Sequence, residues 1–299
     1  MKKLITMILA LAMVFALCAC GSAAPAQTAD SAAAPAQDAA AADTAADDAA
    51  AADTAEGGEL ILGTSADYAP FEFMYPDESG SMTYGGIDVF AAEYIAESMG
   101  KTLKVENMSF DYLLASLQKG DYDMVMAAME PTEERLNAAD FSDPYYTDYP
   151  AMILVKAENA DQYKTLADFD GKSVAAQTAT TKEAIVTDSM SGANLVSLQN
   201  VNDIINQLVN DKIDAAVLDG SVALQYEKSN PDLKVASASD ELGAAEPYCV
   251  AVQKGDPKGL LPGINAAIAQ MLADNKVDEF VAKADELGDV AVEVSADAP

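Results

Sequence analysis

From Glu59 onward, short apolar runs alternate with stretches of helical period, the pattern of an α/β protein. Residues 60–63 read as a strand. Residues 87–99 read as a helix, with Val89, Ala92, Ile95, Ala96 and Met99 on one face and Gly100 as its stop. A second helix is expected over 111–119, closed by Gly120, and then a strand at 124–127. Further strands are expected at 151–155, 173–176, 195–198, 215–218 and 233–236, with helices starting near Thr181, Val201 and Ser221 between them. The pattern ends in a strand at 249–253 and helical stretches near 260–274 and 277–287.

One internal echo bears on organisation. Residues 117–127 and 208–218 each run from a helix end through a polar turn to an aspartate and then an apolar strand. The first run is followed by Glu130 and Arg135, the second by Asp219. Ligands of open α/β sheets sit at the carboxyl ends of strands. Two similar lobes, each offering such an end, predict a ligand held between them.

Nothing before residue 59 can join that core. Residues 1–20 start with Lys2 and Lys3, continue through an apolar stretch and end in Leu17-Cys18-Ala19-Cys20. This is the form of a secretory leader, too short for a comfortable membrane span. Its junction resembles a bacterial lipobox, which makes Cys20 the expected lipid-bearing residue of the mature protein. Residues 21–58 contain no large apolar side chain, and the stretch 39–45 recurs at 49–55. Such a segment reads as a disordered Ala/Asp-rich tether, spanning roughly 30–37 Å as a coil.

With Cys18 removed and Cys20 modified, only Cys249 would remain of the three cysteines, so no intrachain disulfide is expected. Cys249 lies in an apolar run and reads as a buried strand residue.

The chain carries 49 acidic and 17 basic residues, a net charge of −32. Two positive charges belong to the leader and seven negative ones to the tether, which leaves −27 on residues 59–299. That sign excludes nucleic acid, whose phosphates need clustered lysine and arginine. It also draws attention to Arg135, the only arginine present. A guanidinium is a rigid planar fork that matches a carboxylate as an ammonium does not. A surface pairing with Glu133, Glu134 or Asp140 is the plain alternative.

An ordered set of motifs decides between these readings. Gly63-Thr64-Ser65-Ala66-Asp67-Tyr68-Ala69-Pro70-Phe71-Glu72-Phe73 is followed by Gly86-Ile87-Asp88-Val89, by Pro131-Thr132-Glu133-Glu134-Arg135 and by Phe141-Ser142-Asp143-Pro144-Tyr145-Tyr146. Thr180-Thr181, the stretch 214–219 and Glu246-Pro247-Tyr248 complete the series. Over nearly all of residues 59–288 the chain resembles the polar amino acid-binding branch of the bacterial extracellular solute-binding proteins. The resemblance implies a two-lobe periplasmic-binding-protein-like α/β fold with a hinge of two crossover segments, near 149–151 and 245–248. Lobe 1 would hold residues 59–149 and 249–299, and lobe 2 residues 150–248. It also implies a free amino acid in the cleft, delivery to an ABC importer permease, and no cofactor or metal. The protein is expected to act as a monomer, held to the membrane by a lipid on Cys20.

On this resemblance Arg135 takes the ligand carboxylate and Asp219 the α-ammonium. Thr180 and Thr181 add amide groups at a helix start, where unpaired donors favour an anion. The tetrad 180–183 also has the form of a capping box, Thr180 against Glu183. Tyr68 and Phe110 would wall the side-chain pocket, and Ala128 would contribute backbone groups. Phe71, Phe73 and Met129 read as packing. Glu130 departs from the resemblance, because many members carry a small hydroxyl residue there. It either meets a cationic ligand side chain or pairs locally with Arg135 or solvent. An acid here is similar to what arginine-binding relatives show, which leans the ligand towards a cationic or polar amino acid. Ser65, where some cation binders place a second acid, pulls the other way.

An enzyme is the competing class. The absence of histidine removes Ser-His-Asp and Cys-His arrangements, and one remaining cysteine cannot form a thiolate zinc cluster. Carboxylate acid–base chemistry survives, since some relatives of this fold are dehydratases of prephenate or arogenate, with Glu130 or Glu246 as the candidate acids. No catalytic residue is assigned, because the amino acid-binding motifs are nearly complete.

Overall fold

The computed structural model describes residues 57–296. The leader, Cys20 and nearly all of the tether lie outside the described residues. The chain enters through β1 (Glu59–Thr64) and passes through a small meander, β2 (Asp67–Tyr68), β3 (Glu72–Pro76) and β4 (Met82–Gly85). Helix α1 (Ile87–Ser98), β5 (Thr102–Asn107), α2 (Leu113–Lys119), β6 (Met124–Val125), α3 (Glu133–Ala138) and β7 (Ala139–Thr147) follow. The chain then crosses into β8 (Met152–Lys156), β9 (Ser173–Gln177), α4 (Thr181–Ser189) and β10 (Asn194–Leu198). After these come α5 (Val201–Val209), β11 (Ala215–Leu218), α6 (Gly220–Ser229) and β12 (Leu233–Val235). It returns along β13 (Pro247–Gln253) and ends in α7 (Leu261–Ala273) and α8 (Lys276–Ala296).

The strands form two five-stranded sheets of matching design. One has the order β5-β1-β6-β13-β7, the other β10-β9-β11-β8-β12. In each, the first three strands are parallel and the fourth, a strand that has just crossed from the other lobe, is antiparallel to the third. The echoed aspartates do the same job in both. Asp123 accepts the Ile61 N–H of β1 at 2.7 Å, and Asp214 accepts the Ser173 N–H of β9 at 2.8 Å. Each carboxylate thereby pins the second strand of its sheet to the turn before the third.

The cores follow from the apolar runs. Leu60, Leu62, Met124, Val250 and Val252 face Ile95, Ile264, Ile268 and Met271 of α1 and α7. Leu113 and Leu117 of α2 cover the other face with Val125 and Ala251. In the second lobe Val201, Ile204 and Leu208 pack with Leu218, while Val155, Val174 and Val217 pack with Val186 of α4.

Two glycines are fixed by close approach. Gly86 has φ 118°, and a Cβ there would lie 2.1 Å from the Phe71 carbonyl oxygen. A Cβ on Gly220 would meet Tyr149 Cβ at 2.5 Å and the Pro150 oxygen at 2.6 Å. Gly220 therefore lets α6 start against the crossover, where Asp148 accepts the Ser221 N–H at 3.1 Å.

Most predicted elements occur, with three differences. Residues 124–127 hold a two-residue strand, because the backbone turns left-handed at Ala128 (φ 45°). α8 runs well past the expected end at 287 and touches both lobes: Phe280 packs on Phe90, while Asp289 accepts from Gln225 at 2.6 Å and from Lys228 at 2.7 Å on α6. The Thr180–Glu183 capping box does not form. The Thr180 hydroxyl donates instead to the Gln177 carbonyl at 2.6 Å, and Glu183 reaches one residue further back to the Ala179 N–H.

Candidate functional site

The ends of β6 and β11 face each other across a cleft. β6 leads into Ala128, Met129 and Glu130, and the Thr132 side chain then accepts the Arg135 N–H at the start of α3, as an N-cap does. This short helix turns Arg135 inward, where it is 7 % exposed. Its Nη1 donates to both the carbonyl oxygen of Glu130 (3.0 Å) and the carboxylate of Glu130 (2.9 Å). Its Nη2 donates to the Ala179 carbonyl of the second lobe at 3.2 Å, and its guanidinium carbon lies 5.2 Å from the Phe110 ring centroid. Nε has no partner among the described residues, so one edge of the fork remains open to a carboxylate.

Asp219 stands at the N-cap position of α6, yet its side chain makes no capping bond. It turns into the cleft, where Oδ2 accepts the Tyr68 hydroxyl at 2.7 Å, and the Asp219 N–H donates to that same hydroxyl oxygen at 3.1 Å. A plain turn-starting role is thereby excluded. Tyr68 is consequently held by its polar end against Asp219, and burial beside that carboxylate raises its pKa well above the usual phenol range.

Between Glu130 and Asp219 lies Lys182, which sequence reasoning left inside the capping tetrad. Its Nζ is 2.7 Å from Glu130 Oε1, 2.5 Å from Asp219 Oδ1 and 3.1 Å from Thr181 Oγ1, and the residue is 4 % exposed. Thr181 in turn donates to Glu130 at 2.9 Å. Burial alone would push the Glu130 carboxyl up, but Lys182 and Arg135 outweigh it and hold the group near pKa 2. Burial likewise works against the Lys182 ammonium, and the two carboxylates overcome it and raise its pKa. Glu130 and Lys182 are therefore both charged at neutral pH. Of the two readings of Glu130, the local one is what the geometry contains. The signal for Lys182 was present in the sequence: a buried glutamate beside a single arginine calls for a second cation, and the chain offers a lysine at the helix start it faces.

Tyr68, Phe110, Ala128, Glu130, Thr180 and Asp219 all line this one cleft with Lys182. Arg135 and Thr181 join it through Glu130. Ala128 departs from expectation in part, since its N–H points away and donates to the buried Asp88 at 2.7 Å. The carbonyl is what it has to offer the cleft. Thr180 keeps its own N–H on Gln177 at 3.3 Å, so the open amides are those that follow it in α4. Phe71, Phe73 and Met129 are core residues.

Glu72, which also lines the cleft, forms a buried acid pair with Asp88, 1 % and 0 % exposed. Burial, reinforced by the Asp88 charge, drives the Glu72 pKa well above the carboxylate range and favours its neutral form beside Asp88. Asp88 is itself raised to about 6 by burial, although the Ala128 N–H and the Tyr145 hydroxyl pull it down. Further inter-lobe bonds close the cleft edges: Asp67 to the Val201 N–H at 2.7 Å, and Gln199 to Asp111 at 3.0 Å. The space left inside is about 10 Å³, the room of a single water.

A larger hollow of about 1080 Å³ lies elsewhere, between β1, the end of α1 and the start of α7. In its lining Asp123 pairs with Lys258 at 2.6 Å, and Asp256 accepts the amides of Leu260 and Leu261 at the start of α7. Among the described residues no group of histidine, cysteine, aspartate or glutamate side chains could hold a metal ion.

This architecture has known counterparts. The family model described as "Bacterial extracellular solute-binding proteins, family 3" matches residues 60–284. The arginine-binding extracellular protein ArtP of Bacillus subtilis is 29 % identical over 287 residues, covering 95 % of this chain and 98 % of that protein. The ABC transporter arginine-binding protein 1 of Escherichia coli is 31 % identical over 218 residues, with 72 % and 86 % covered. Among solved structures, an amino acid ABC transporter substrate-binding protein of Streptococcus pneumoniae bound to L-arginine superposes with a TM-score of 0.73 at 34 % identity, covering 77 % of this chain and 95 % of that one.

Proposed function

The chain belongs to family 3 of the bacterial extracellular solute-binding proteins, whose members work outside the cytoplasm, and from that premise we propose that it is the amino acid-binding component of an ABC importer. The observation that carries this reading is the cleft itself. One guanidinium from the first lobe and one aspartate from the second belong to a single buried network, and a zwitterion needs that pair of opposite charges.

In the proposed mechanism the open lobes present Arg135 on one side and Asp219 on the other. The ligand carboxylate meets the free edge of the Arg135 fork and the amide groups that open α4, where a helix N-terminus favours an anion. The α-ammonium meets Asp219 and the Ala128 carbonyl, and the side chain lies between Tyr68 and Phe110. Closure then brings the second lobe onto a ligand already held by the first, so that binding shifts an open–closed equilibrium. The closed form is what the membrane permease would receive. A lipid on Cys20 and the tether of residues 21–58 would keep the domain beside that permease.

A thermal-shift screen of the purified protein against the twenty amino acids and ornithine tests the reading. A ligand present at 100 times its Kd raises stability by about 2.7 kcal/mol, a shift of several degrees. An unmoved melting temperature across the whole panel would overturn it. The same screen run with arogenate, followed for phenylalanine release, separates carriage from dehydration.

A further inference from the structure

Resting on that reading, we propose that Lys182 sets the specificity of the cleft. Its ammonium holds the place at Asp219 that a ligand α-ammonium must take, and its charge reserves the site for α-amino acids whose side chains carry no positive charge.

The first half of this follows from distances. Lys182 Nζ has three N–H donors and three acceptors within 3.1 Å, namely Asp219, Glu130 and Thr181. The ammonium is fully satisfied, buried and seated between the two lobes. With it in place the cleft is shut and holds no more than a water. Lys182 is therefore a tethered competitor: the closed form is stabilised by the chain's own cation, and a ligand binds only by displacing it from Asp219. The displaced lysine still has Glu130 and Thr181 as partners.

The second half follows from counting charges. The network holds two cations, Arg135 and Lys182, and two carboxylates, Glu130 and Asp219. A zwitterion with an uncharged side chain leaves that balance untouched. Its carboxylate goes to Arg135, its ammonium to Asp219, and Glu130 keeps Lys182. A cationic side chain would bring a third cation into a desolvated space where both carboxylates are already taken. The other carboxyl group lining the cleft is Glu72, and one of its oxygens has no partner. Burial and the Asp88 charge push that group's pKa up and disfavour its charged form, which makes it a poor counter-charge for a cationic side chain and leaves its unpartnered oxygen to a polar one. Like charges in a buried site cost several times what they cost in water.

Calorimetry at pH 8 on the full chain and on Lys182→Gln, with the twenty amino acids and ornithine, tests the proposal. The expected result is a best ligand with no positive side chain for the natural protein, bound at least tenfold tighter than arginine, lysine or ornithine. In Lys182→Gln the ratio of cationic to uncharged affinity should rise at least tenfold. Circular dichroism checks the fold, and Lys182→Met, which keeps the aliphatic stem, replaces the glutamine variant if that variant does not fold. A natural protein that prefers arginine, lysine or ornithine overturns the proposal and leaves amino acid binding intact. So does a preference ratio that the substitution does not move. Binding of no amino acid by either protein overturns both.

Discussion

The carboxyl ends of β6 and β11 occupy equivalent places in two sheets of the same strand order, and they are built differently. β11 runs straight into α6, and Asp219 needs only its position at the helix start to project into the cleft. β6 stops early. Its backbone turns left-handed at Ala128, gives an N–H to Asp88, and continues through Glu130 to a short helix that delivers Arg135. One end is a rigid post and the other a supported loop. A duplicated topology fixes where a ligand can sit, whereas the local chemistry at each end decides which part of the ligand it holds.

The comparison is broken most severely by removing the two charges. Arg135→Ala should cost about 2–5 kcal/mol of ligand binding, the range for stripping one partner from a buried hydrogen-bonded charge pair. That is at least tenfold in affinity by calorimetry. Asp219→Asn should weaken the free amino acid far more than its N-acetylated form, and equal losses would mean that the two ends do not divide the zwitterion as described.

A smaller effect tests the shared part of the design. Asp123→Ala and Asp214→Ala each remove a carboxylate that accepts a strand N–H, worth about 1.5–3 kcal/mol for a bond to a charged group. Denaturant unfolding should show both losses, with Asp123 the larger because its lysine pair is tighter (Lys258 at 2.6 Å, against Lys172 at 3.5 Å from Asp214) and it is the more buried of the two (side chains 14 % and 35 % exposed). A loss at one site alone would argue that the echo is only a resemblance of sequence.

The smallest expected effect sharpens the contrast in support. Asp88, under the β6 end, has a folded pKa of about 6 against 3.8, and Glu72 is raised further. Raised acids bind more protons folded than unfolded, so their contribution is full at low pH and is lost as pH climbs through the folded values. Glu130 acts in the opposite sense, since its lowered pKa makes its contribution present above about 4.5 and lost towards 2. Thermal unfolding should accordingly peak near pH 4–5 and fall by a few degrees towards pH 8. Glu72→Gln should flatten that fall, and an unchanged slope would detach the acid pair from stability.

Much of this was legible in the sequence, for reasons that differ by residue. The strands at Glu59–Thr64, Ser173–Gln177 and Ala215–Leu218 are built on short apolar runs at 60–62, 174–176 and 215–218, of the length a buried strand takes. Asp219, Arg135 and Glu130 stood out because they follow such strands. β7 was hidden, because Asp143 and Pro144 are poor strand residues and their pairing with β13 is irregular at Cys249. The β2–β4 meander is too short and too mixed to show a period. Lys182 was missed because its neighbours spell a helix cap. Threonine and glutamate at that spacing satisfy a local rule, and the tertiary demand of Glu130 and Asp219 overrode it.

The last helix holds a consequence for motion. α8 lies on α1 and β3 through Phe280 and Val281, yet its Asp289 is tied to Gln225 and Lys228 on α6. The family-model match ends at residue 284, before Asp289. Any parting of the lobes must therefore break these two bonds or bend α8, for instance near Gly288, where a Cβ would lie 3.4 Å from Gln225 and 3.7 Å from Ala69. A helix that bonds to α6 and packs on α1 in this way would make its own bending one of the costs of opening the proposed hinge.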